Sequence, residues 1–450
     1  LCCVLIMNWL LLTLFVCFVV GIAVAQKKSD IENRCTPSNC KLPKCRCPGH
    51  SIPGGYKPEE IPQMVIITFD DAVNWENWGY YSRLFPPDGS RANPNGCPIG
   101  MTLFVSHNFT DYCMIKKIHA RGNEIADHSV SHRLPHAWWA EATDEDLSEE
   151  ILTQRQNLAD LAEIPMEDLK GWRSPFLQPT GDTMFNILYK NNFTYDATMT
   201  YPFPRNVYSP VMWPFTLDYS YTLVCNIDPC PKKAYPGFWI LPVVVMMDYR
   251  EHLPCAYVDF CKNAPRNQDE AFQLLWKNFL RNYRTNRAPL YINLHSLWLN
   301  VDFNLDALDD FIQRLVTMDD VYITTVSKAL EWVQNPVPLS QIKDFEPWKC
   351  DFKPNQEDDA FCSFTYKPRT TRPPNKPTTT TTQRPNYVNQ GGGDNRNDLG
   401  IPPKGGKGNG RGSNDPRNRR PWFLKNDSPR IPTSLNTLLF VLCLAAKQLL

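Results

Sequence analysis

Two adjacent carboxylates, Asp70 and Asp71, end the apolar run of residues 64–69, MVIITF. A run of this composition predicts a buried strand, and a buried strand cannot end in two charges unless a cation, protons or water satisfy them. We therefore expect the pair at the mouth of a strand, facing a ligand or solvent. An isolated acidic pair can also be a simple Asp-rich turn.

A second group with metal-ligand spacing is formed by His128 and His132, which follow the short apolar run 124–126. Imidazoles four residues apart share one face of a helical turn and can reach one ion, and Pro135 keeps such a helix short. Two surface histidines are the alternative. With a strand-end carboxylate, the pair offers the ligands that suit zinc at a catalytic site with an open fourth position.

The elements that must position these groups alternate from residue 55 onward. Strands are predicted at residues 64–69, 101–105, 124–126, 238–247, 290–294 and 321–324. Helices are predicted at residues 112–120, 145–162, 183–190, 269–282, 305–318 and 327–333. This alternation indicates an α/β fold with a parallel sheet, open or closed into a barrel, in which chemistry lies at the carboxyl ends of strands.

The cysteines and the N-terminus indicate an oxidising compartment. The apolar run of residues 1–25 ends in Ala-Val-Ala, which predicts a secretory signal peptide, with a membrane anchor as the alternative. Apart from cysteines in the two terminal apolar segments, 12 remain, and an even number in a secreted chain predicts disulfides. Four of them make residues 26–54 a stapled loop segment. Residues 200–261 hold four more and predict a disulfide-pinned loop insertion. Asn108 and Asn192 begin glycosylation sequons.

The C-terminal part changes in composition. Residues 348–366 are a Cys-containing extension, and residues 367–430, rich in Pro, Thr, Gly and Arg, predict a disordered linker. The linker holds 14 Lys and Arg against 4 Asp, so the rest of the neutral chain is acidic and does not suit a nucleic-acid enzyme. Residues 431–450 form an apolar tail, either a GPI-attachment signal or the end of a plainly secreted protein.

Five motifs, in order, resemble those of the polysaccharide deacetylases, carbohydrate esterase family 4. They are TFDDAVN, HSVSH followed by Arg133, RSPF at 173–176, GFW at 237–239 and the pair Leu294-His295. The wording of TFDDAVN and RSPFLQP is most similar to arthropod chitin deacetylases. The resemblance spans residues 35–347 and implies that residues 55–347 are a catalytic domain with a distorted (β/α) barrel.

The same resemblance implies different roles for the two carboxylates. Asp71, His128 and His132 would bind a divalent metal, zinc or another transition metal such as Co²⁺. Asp70 would remain free beside it and act as the general base that takes a proton from the attacking water.

For the remaining steps the resemblance implies His295 as the general acid, Arg173 as the partner of the base and the Phe176 backbone N–H as an oxyanion donor. Trp239 and Leu294 would line the acetyl pocket. The fourth motif departs from the family pattern, and a supporting carboxylate for the acid could come from Asp248 or Asp196. Aromatic residues that could stack on sugar rings are Trp138, Trp139, Tyr201 and Trp213.

The function predicted from the sequence is a secreted, metal-dependent hydrolase that removes N-acetyl groups from chitin, giving chitosan and acetate. We expect a monomer of the extracellular matrix that binds chitin or another N-acetylglucosamine polymer and no nucleic acid. It would be free or held at the membrane by a GPI anchor. The alternatives are a catalytically weak chitin-binding or matrix-organising protein and a deacetylase of bacterial wall glycan.

Overall fold

The part of the chain that the structure describes comprises residues 34–202, 206, 209–350 and 362 of a computed structural model. The predicted signal peptide, the linker of residues 367–430 and the apolar tail lie outside it. No helix in the described ranges is long and apolar enough to cross a bilayer.

A mostly parallel sheet of nine strands forms the centre, in the order β12-β1-β2-β3-β4-β5-β8-β7 with β13 also beside β1. The strands of this sheet and of two short pairs are β1 Gln63–Asp71, β2 Thr102–Val105, β3 Glu124–Asp127, β4 Gly171–Trp172, β5 Tyr195–Asp196, β6 Thr200–Tyr201, β7 Phe215–Leu217, β8 Tyr235–Ile240, β9 Val243–Val244, β10 Met246–Met247, β11 Pro254–Cys255, β12 Leu290–His295 and β13 Val321–Ile323. Within the sheet, β7 and β8 pair antiparallel and the other described pairs are parallel. The fold is the distorted (β/α) barrel that the sequence predicted.

Strand β1 is the central element because it pairs with β12, β13 and β2. Val65, Ile67 and Phe69 belong to one hydrophobic cluster, whereas Met64 and Ile66 belong to another. Both faces of the strand are therefore buried, as expected where parallel strands are covered on both sides. Apart from Gln63 at its start, the polar residues of the strand, Thr68, Asp70 and Asp71, lie toward its carboxyl end.

The helices that cover the sheet are α1 Trp75–Leu84, α2 Tyr112–Ala120, α3 Trp138–Glu141, α4 Asp144–Leu161, α5 Asp182–Lys190, α6 Gln268–Tyr283, α7 Asp302–Leu315 and α8 Val326–Gln334. Side-chain caps begin several of them. Asp111 accepts from the first turn of α2, and Thr143 accepts from Asp146 N–H at the start of α4. These short polar residues stop each helix from extending backward into the preceding loop.

The six predicted helices are confirmed, with boundaries within three residues, and so are the strands predicted at residues 64–69, 101–105, 124–126, 290–294 and 321–324. The strand predicted at residues 238–247 is instead the end of β8 followed by the short strands β9 and β10, which belong to two other sheets. The sequence patterns missed α1 and the short elements α3, β4, β5, β6, β7 and β11, each of four residues or fewer. Residues 200–261 are more regular than predicted, because β7 and β8 of this segment extend the central sheet. The sequence analysis predicted residues 238–240 of β8 as strand but missed β7, which lies among frequent Pro and aromatic residues.

All 12 cysteines outside the terminal apolar segments form disulfides, as predicted. The N-terminal segment holds Cys35–Cys47 and Cys40–Cys45. Two long-range bonds, Cys97–Cys350 and Cys113–Cys362, connect the C-terminal extension to the barrel. Two short-range bonds, Cys225–Cys230 and Cys255–Cys261, close small loops within residues 200–261.

Strands β4 and β5 lie so close together at Gly171 that an added methyl group should destabilise the fold. A Cβ at Gly171 would lie 2.0 Å from Cζ of the buried Tyr195. Gly171→Ala should therefore lower the free energy of unfolding by about 1–3 kcal/mol, measured by urea denaturation. Gly79→Ala is the control, because nothing lies within 4 Å of a Cβ there and the helix α1 should gain up to about 1 kcal/mol. Equal stability of the two variants would contradict the prediction.

Candidate active site

The register of the sheet brings four of the five sequence motifs to one edge. Asp70 is directly opposite His295 of β12, and Asp71 is opposite Val105 of β2. Val105 in turn is opposite Asp127, the residue before His128, and Asp127 is opposite Trp172, the residue before Arg173. Because all these strands are parallel, the chemistry-bearing residues leave the sheet together at their carboxyl ends.

Three of these residues form a site with the geometry and donors for a metal ion. Asp71 Oδ1 lies 3.8 Å from His128 Nε2 and 3.6 Å from His132 Nε2. One ligand atom from each residue lies within 4.8 Å of the others. His128 Nε2 is buried and has no hydrogen-bond partner among the described residues. An orphaned imidazole nitrogen aimed at a carboxylate and a second imidazole fits a metal ligand.

The protonation state of His128 also suits a ligand. Its Nδ1 contacts the backbone carbonyl of Arg173 at 2.7 Å, which requires the proton on Nδ1 and leaves the Nε2 lone pair free. Burial lowers the pKa of His128 to about 4, so the imidazole is neutral at physiological pH.

The histidine motif is a loop, and the predicted helical turn is wrong. Ser129 and His132 have positive φ angles of 76° and 45°, which an α-helix does not allow. The loop is held by polar contacts instead: Ser129 N–H donates to Asp127, and Ser131 donates from its N–H and hydroxyl to Glu150 of α4. These bonds compensate the backbone strain and place the two imidazole centroids 5.1 Å apart.

Asp70 has a different environment from its neighbour. It is 3% exposed, and its Oδ1 accepts from Arg173 Nη1 at 2.6 Å while its Oδ2 accepts from the Tyr257 hydroxyl at 2.6 Å. Burial acts to raise the pKa of this carboxyl, yet the nearby positive charges, Arg173 foremost, leave the pKa below its usual value. Asp70 is therefore a buried carboxylate that can accept a proton.

Arg173 is held on every side. Its Nη1 donates to Thr68, its Nη2 to Asn293 and its Nε to the carbonyl of Ala197. The guanidinium carbon also lies 3.9 Å from the ring centroid of Phe104. Five donors in a planar fork make this arrangement specific to arginine.

His295 pairs with Asp259, rather than with Asp248 or Asp196. Its Nδ1 lies 2.7 Å from Asp259 Oδ2, and its Nε2 faces Asp71 Oδ2 at 4.0 Å. Burial lowers the pKa of His295, but the hydrogen bond and charge of Asp259 outweigh this and raise it to about 9. The imidazole is thus a cation at neutral pH, with a proton available on the side that faces Asp71.

Sequence reasoning did not find Tyr257 and Asp259. Both lie in the loop between Cys255 and Cys261, which the disulfide closes. The signal that could have identified them in the sequence is that a tyrosine and an aspartate lie between two cysteines six residues apart. Asp248 accepts backbone N–H groups of its own turn, and Asp196 does the same for Thr198.

The other predicted site residues differ in exposure: one is partly exposed beside His132, two are buried, and the two sequon residues are exposed. Phe176 has φ of 60° and a 39% exposed ring that contacts His132 at 4.6 Å between centroids. Trp239 and Leu294 are nearly fully buried in separate hydrophobic clusters, so their role in an acetyl pocket stays a prediction. The sequon residues Asn108 and Asn192 are exposed, as glycosylation requires.

The amino-acid sequence shows a clear relationship to characterised proteins. It is 37% identical over 312 residues to chitin deacetylase 8 of Bombyx mori, an alignment that covers 69% of this chain and 80% of that protein. The chain belongs to the chitin deacetylase family. It is also 36% identical over 352 residues to Bombyx mori chitin deacetylase 1, covering 73% of this chain and 64% of that protein. No family model matches.

Solved structures similar to this deacetylase family member include a family 4 carbohydrate esterase from Streptomyces lividans in complex with acetate. That comparison has a TM-score of 0.33 and 16% identity over 58% of this chain and 91% of the other. The peptidoglycan deacetylase PdaC from Bacillus subtilis has a TM-score of 0.34 and 14% identity over 65% of this chain and 100% of the other.

The two carboxylates of the deacetylase site predict different mutant phenotypes. Asp71→Asn should weaken zinc binding by at least about tenfold, because a charged ligand becomes a neutral amide. Asp70→Asn should keep zinc within about twofold, because Asp70 bonds Arg173 and Tyr257 instead. The affinity of each variant is measured as the zinc bound per protein after dialysis against increasing concentrations of a chelator. Equal loss of zinc in the two variants would contradict the different roles of Asp70 and Asp71.

The Asp259–His295 pair predicts a change in pH dependence. Asp259→Asn removes the charge that raises the pKa of His295. His295 should therefore lose its proton, and with it the ability to donate one, at a lower pH than in the wild-type protein. The alkaline limb of kcat/KM should move to lower pH by about 1–3 pH units, and NMR of the imidazole should show the same direction. Asp248→Asn is the matched control and should leave the limb in place; a limb unmoved in Asp259→Asn would disprove the assignment.

Proposed function

We propose that this protein hydrolyses N-acetyl groups of N-acetylglucosamine residues in chitin, giving chitosan and acetate, in a metal-dependent reaction. One observation carries the proposal: a buried carboxylate, Asp70, and an imidazolium, His295, both lie beside the same set of proposed metal ligands. Hydrolysis of an amide needs one group to take a proton and another to give one. The names of the two Bombyx mori relatives support chitin as the substrate.

The residues Asp71, His128 and His132 would hold the ion, and two nitrogens with one oxygen suit zinc or Co²⁺. When bound, a divalent ion supplies positive charge that makes water more acidic and stabilises negative charge on the acetyl oxygen. The backbone N–H of Phe176 would donate a hydrogen bond to the same oxygen.

The protein groups account for the proton movements. Asp70 removes a proton from the attacking water as the water oxygen forms a bond to the acetyl carbon. His295 then donates the proton on Nε2 to the glucosamine nitrogen as the C–N bond breaks, and acetate leaves. Arg173 keeps Asp70 ionised and oriented, and Asp259 keeps His295 charged.

Two exposed phenyl rings lie beside histidines of the proposed site, and we propose that they contact the sugar chain. Phe176 contacts His132, and Phe260, 70% exposed, contacts His295 at 5.5 Å between centroids. Apolar rings beside polar catalytic groups are suited to stacking on pyranose faces. Of the aromatic residues considered from sequence, Trp139 and Trp213 are instead fully buried.

We further propose that the protein acts outside the cell, as the six disulfides support. Cleavage after residue 25, glycosylation at Asn108 and Asn192, a monomeric state and either GPI attachment or free secretion complete this proposal.

Acetate release tests the function. The zinc-loaded protein should release acetate from chitin oligosaccharides at least about 100-fold faster than its Asp70→Asn variant at equal zinc content, because general-base catalysis contributes about 10²–10⁴-fold. Peptidoglycan is assayed in parallel. Acetate release no faster than that of Asp70→Asn would favour a binding or matrix-organising role, and a preference for peptidoglycan would favour the wall-glycan alternative.

A further inference from the structure

Tyr257 touches both proposed proton-transfer groups. It is 8% exposed, and its hydroxyl donates to Asp70 Oδ2 at 2.6 Å. Its ring stacks on the imidazole of His295, with centroids 4.9 Å apart and planes 24° from parallel. One side chain therefore contacts the base through its polar end and the acid through its face.

The packing around Tyr257 leaves its ring little freedom. Tyr257 forms a small buried cluster with Leu177 and Val243. Leu177 comes directly after Phe176, so this cluster also joins the disulfide-closed loop to the RSPF motif. The backbone on both sides of Tyr257 is confined by the Cys255–Cys261 bond. A ring packed in this way can act as a rigid spacer.

The hydrogen bond falls on the oxygen of Asp70 that matters for the reaction. Oδ1 is taken by Arg173, whereas Oδ2 lies 3.8 Å from His128 Nε2 and so faces the metal ligands. A carboxylate oxygen has two lone-pair directions. With one occupied by the Tyr257 hydroxyl, the other stays directed toward the site. Burial raises the pKa of Tyr257 well above its usual value, so the hydroxyl stays a donor.

We propose that Tyr257 is a positioning residue that sets the geometry of Asp70 and His295 together. Its hydroxyl holds the rotamer of Asp70 so that Oδ2 meets the attacking water, and its ring supports the imidazole of His295 against rotation. This inference rests on the proposed deacetylation and adds a residue whose role is to orient the two proton-transfer groups.

Tyr257→Phe tests the hydroxyl while keeping the ring. We expect kcat on a chitin tetrasaccharide, per bound zinc, to fall by about 10–100-fold, with KM and zinc content within about twofold. Tyr195→Phe is the matched control, because Tyr195 is also buried and its hydroxyl donates to a different carboxylate, Glu124 Oε1, at 2.9 Å. It should keep kcat within about twofold even if its melting temperature falls.

A double-mutant cycle distinguishes positioning from general weakening of the fold. If Tyr257 acts through Asp70, adding Tyr257→Phe to Asp70→Asn should lower the residual kcat by less than about twofold. A kcat of Tyr257→Phe within twofold of wild type, a parallel loss of zinc, or full additivity with Asp70→Asn would each overturn the inference. Absence of acetate release by the wild-type protein would instead reject the proposed function itself.

Discussion

The buried ion pair between Asp70 and Arg173 is the interaction on which the rest of the site depends. Both residues are at most 3% exposed, and removing water from two charges costs several kcal/mol per ion unless every polar atom is satisfied. Here Arg173 also bonds Thr68 and Asn293, which lie on the neighbouring strands β1 and β12. The Arg173 charge is thus held by hydrogen bonds to two neighbouring strands of the sheet.

The backbone conformation directs the side chains of two consecutive aspartates, which have the same intrinsic chemistry, into different surroundings. Asp70 continues the strand and points to Arg173 and Tyr257. Asp71 has φ of 79°, a left-handed conformation that directs its half-exposed side chain to His128 and His132. Other left-handed residues, Ser129 and Phe176 among them, lie around the same site, as expected where strain positions functional groups.

Much of this arrangement could be predicted from the sequence because strong local signals coincide with it. The run before Asp70 has the composition of a buried strand, and the alternation of strands and helices implies that strand ends meet. The helical turn predicted for His128 and His132 was wrong because spacing alone cannot distinguish a helix from a loop. The loop is held in part by Glu150 of α4, which lies 19 residues from Ser131 in sequence and accepts two hydrogen bonds from it.

The sequence by itself determined the fold class and the pairing of the 12 cysteines as disulfides, and it predicted the residue types of the site, since these follow from composition, periodicity and the resemblance of ordered motifs. The tertiary structure decided which groups touch. The contacts of Tyr257 with Asp70 and of Asp259 with His295 span 187 and 36 residues, so no local pattern could reveal them. The pKa values of Asp70 and His295 depend on these contacts and on burial, which exist only once the chain has folded.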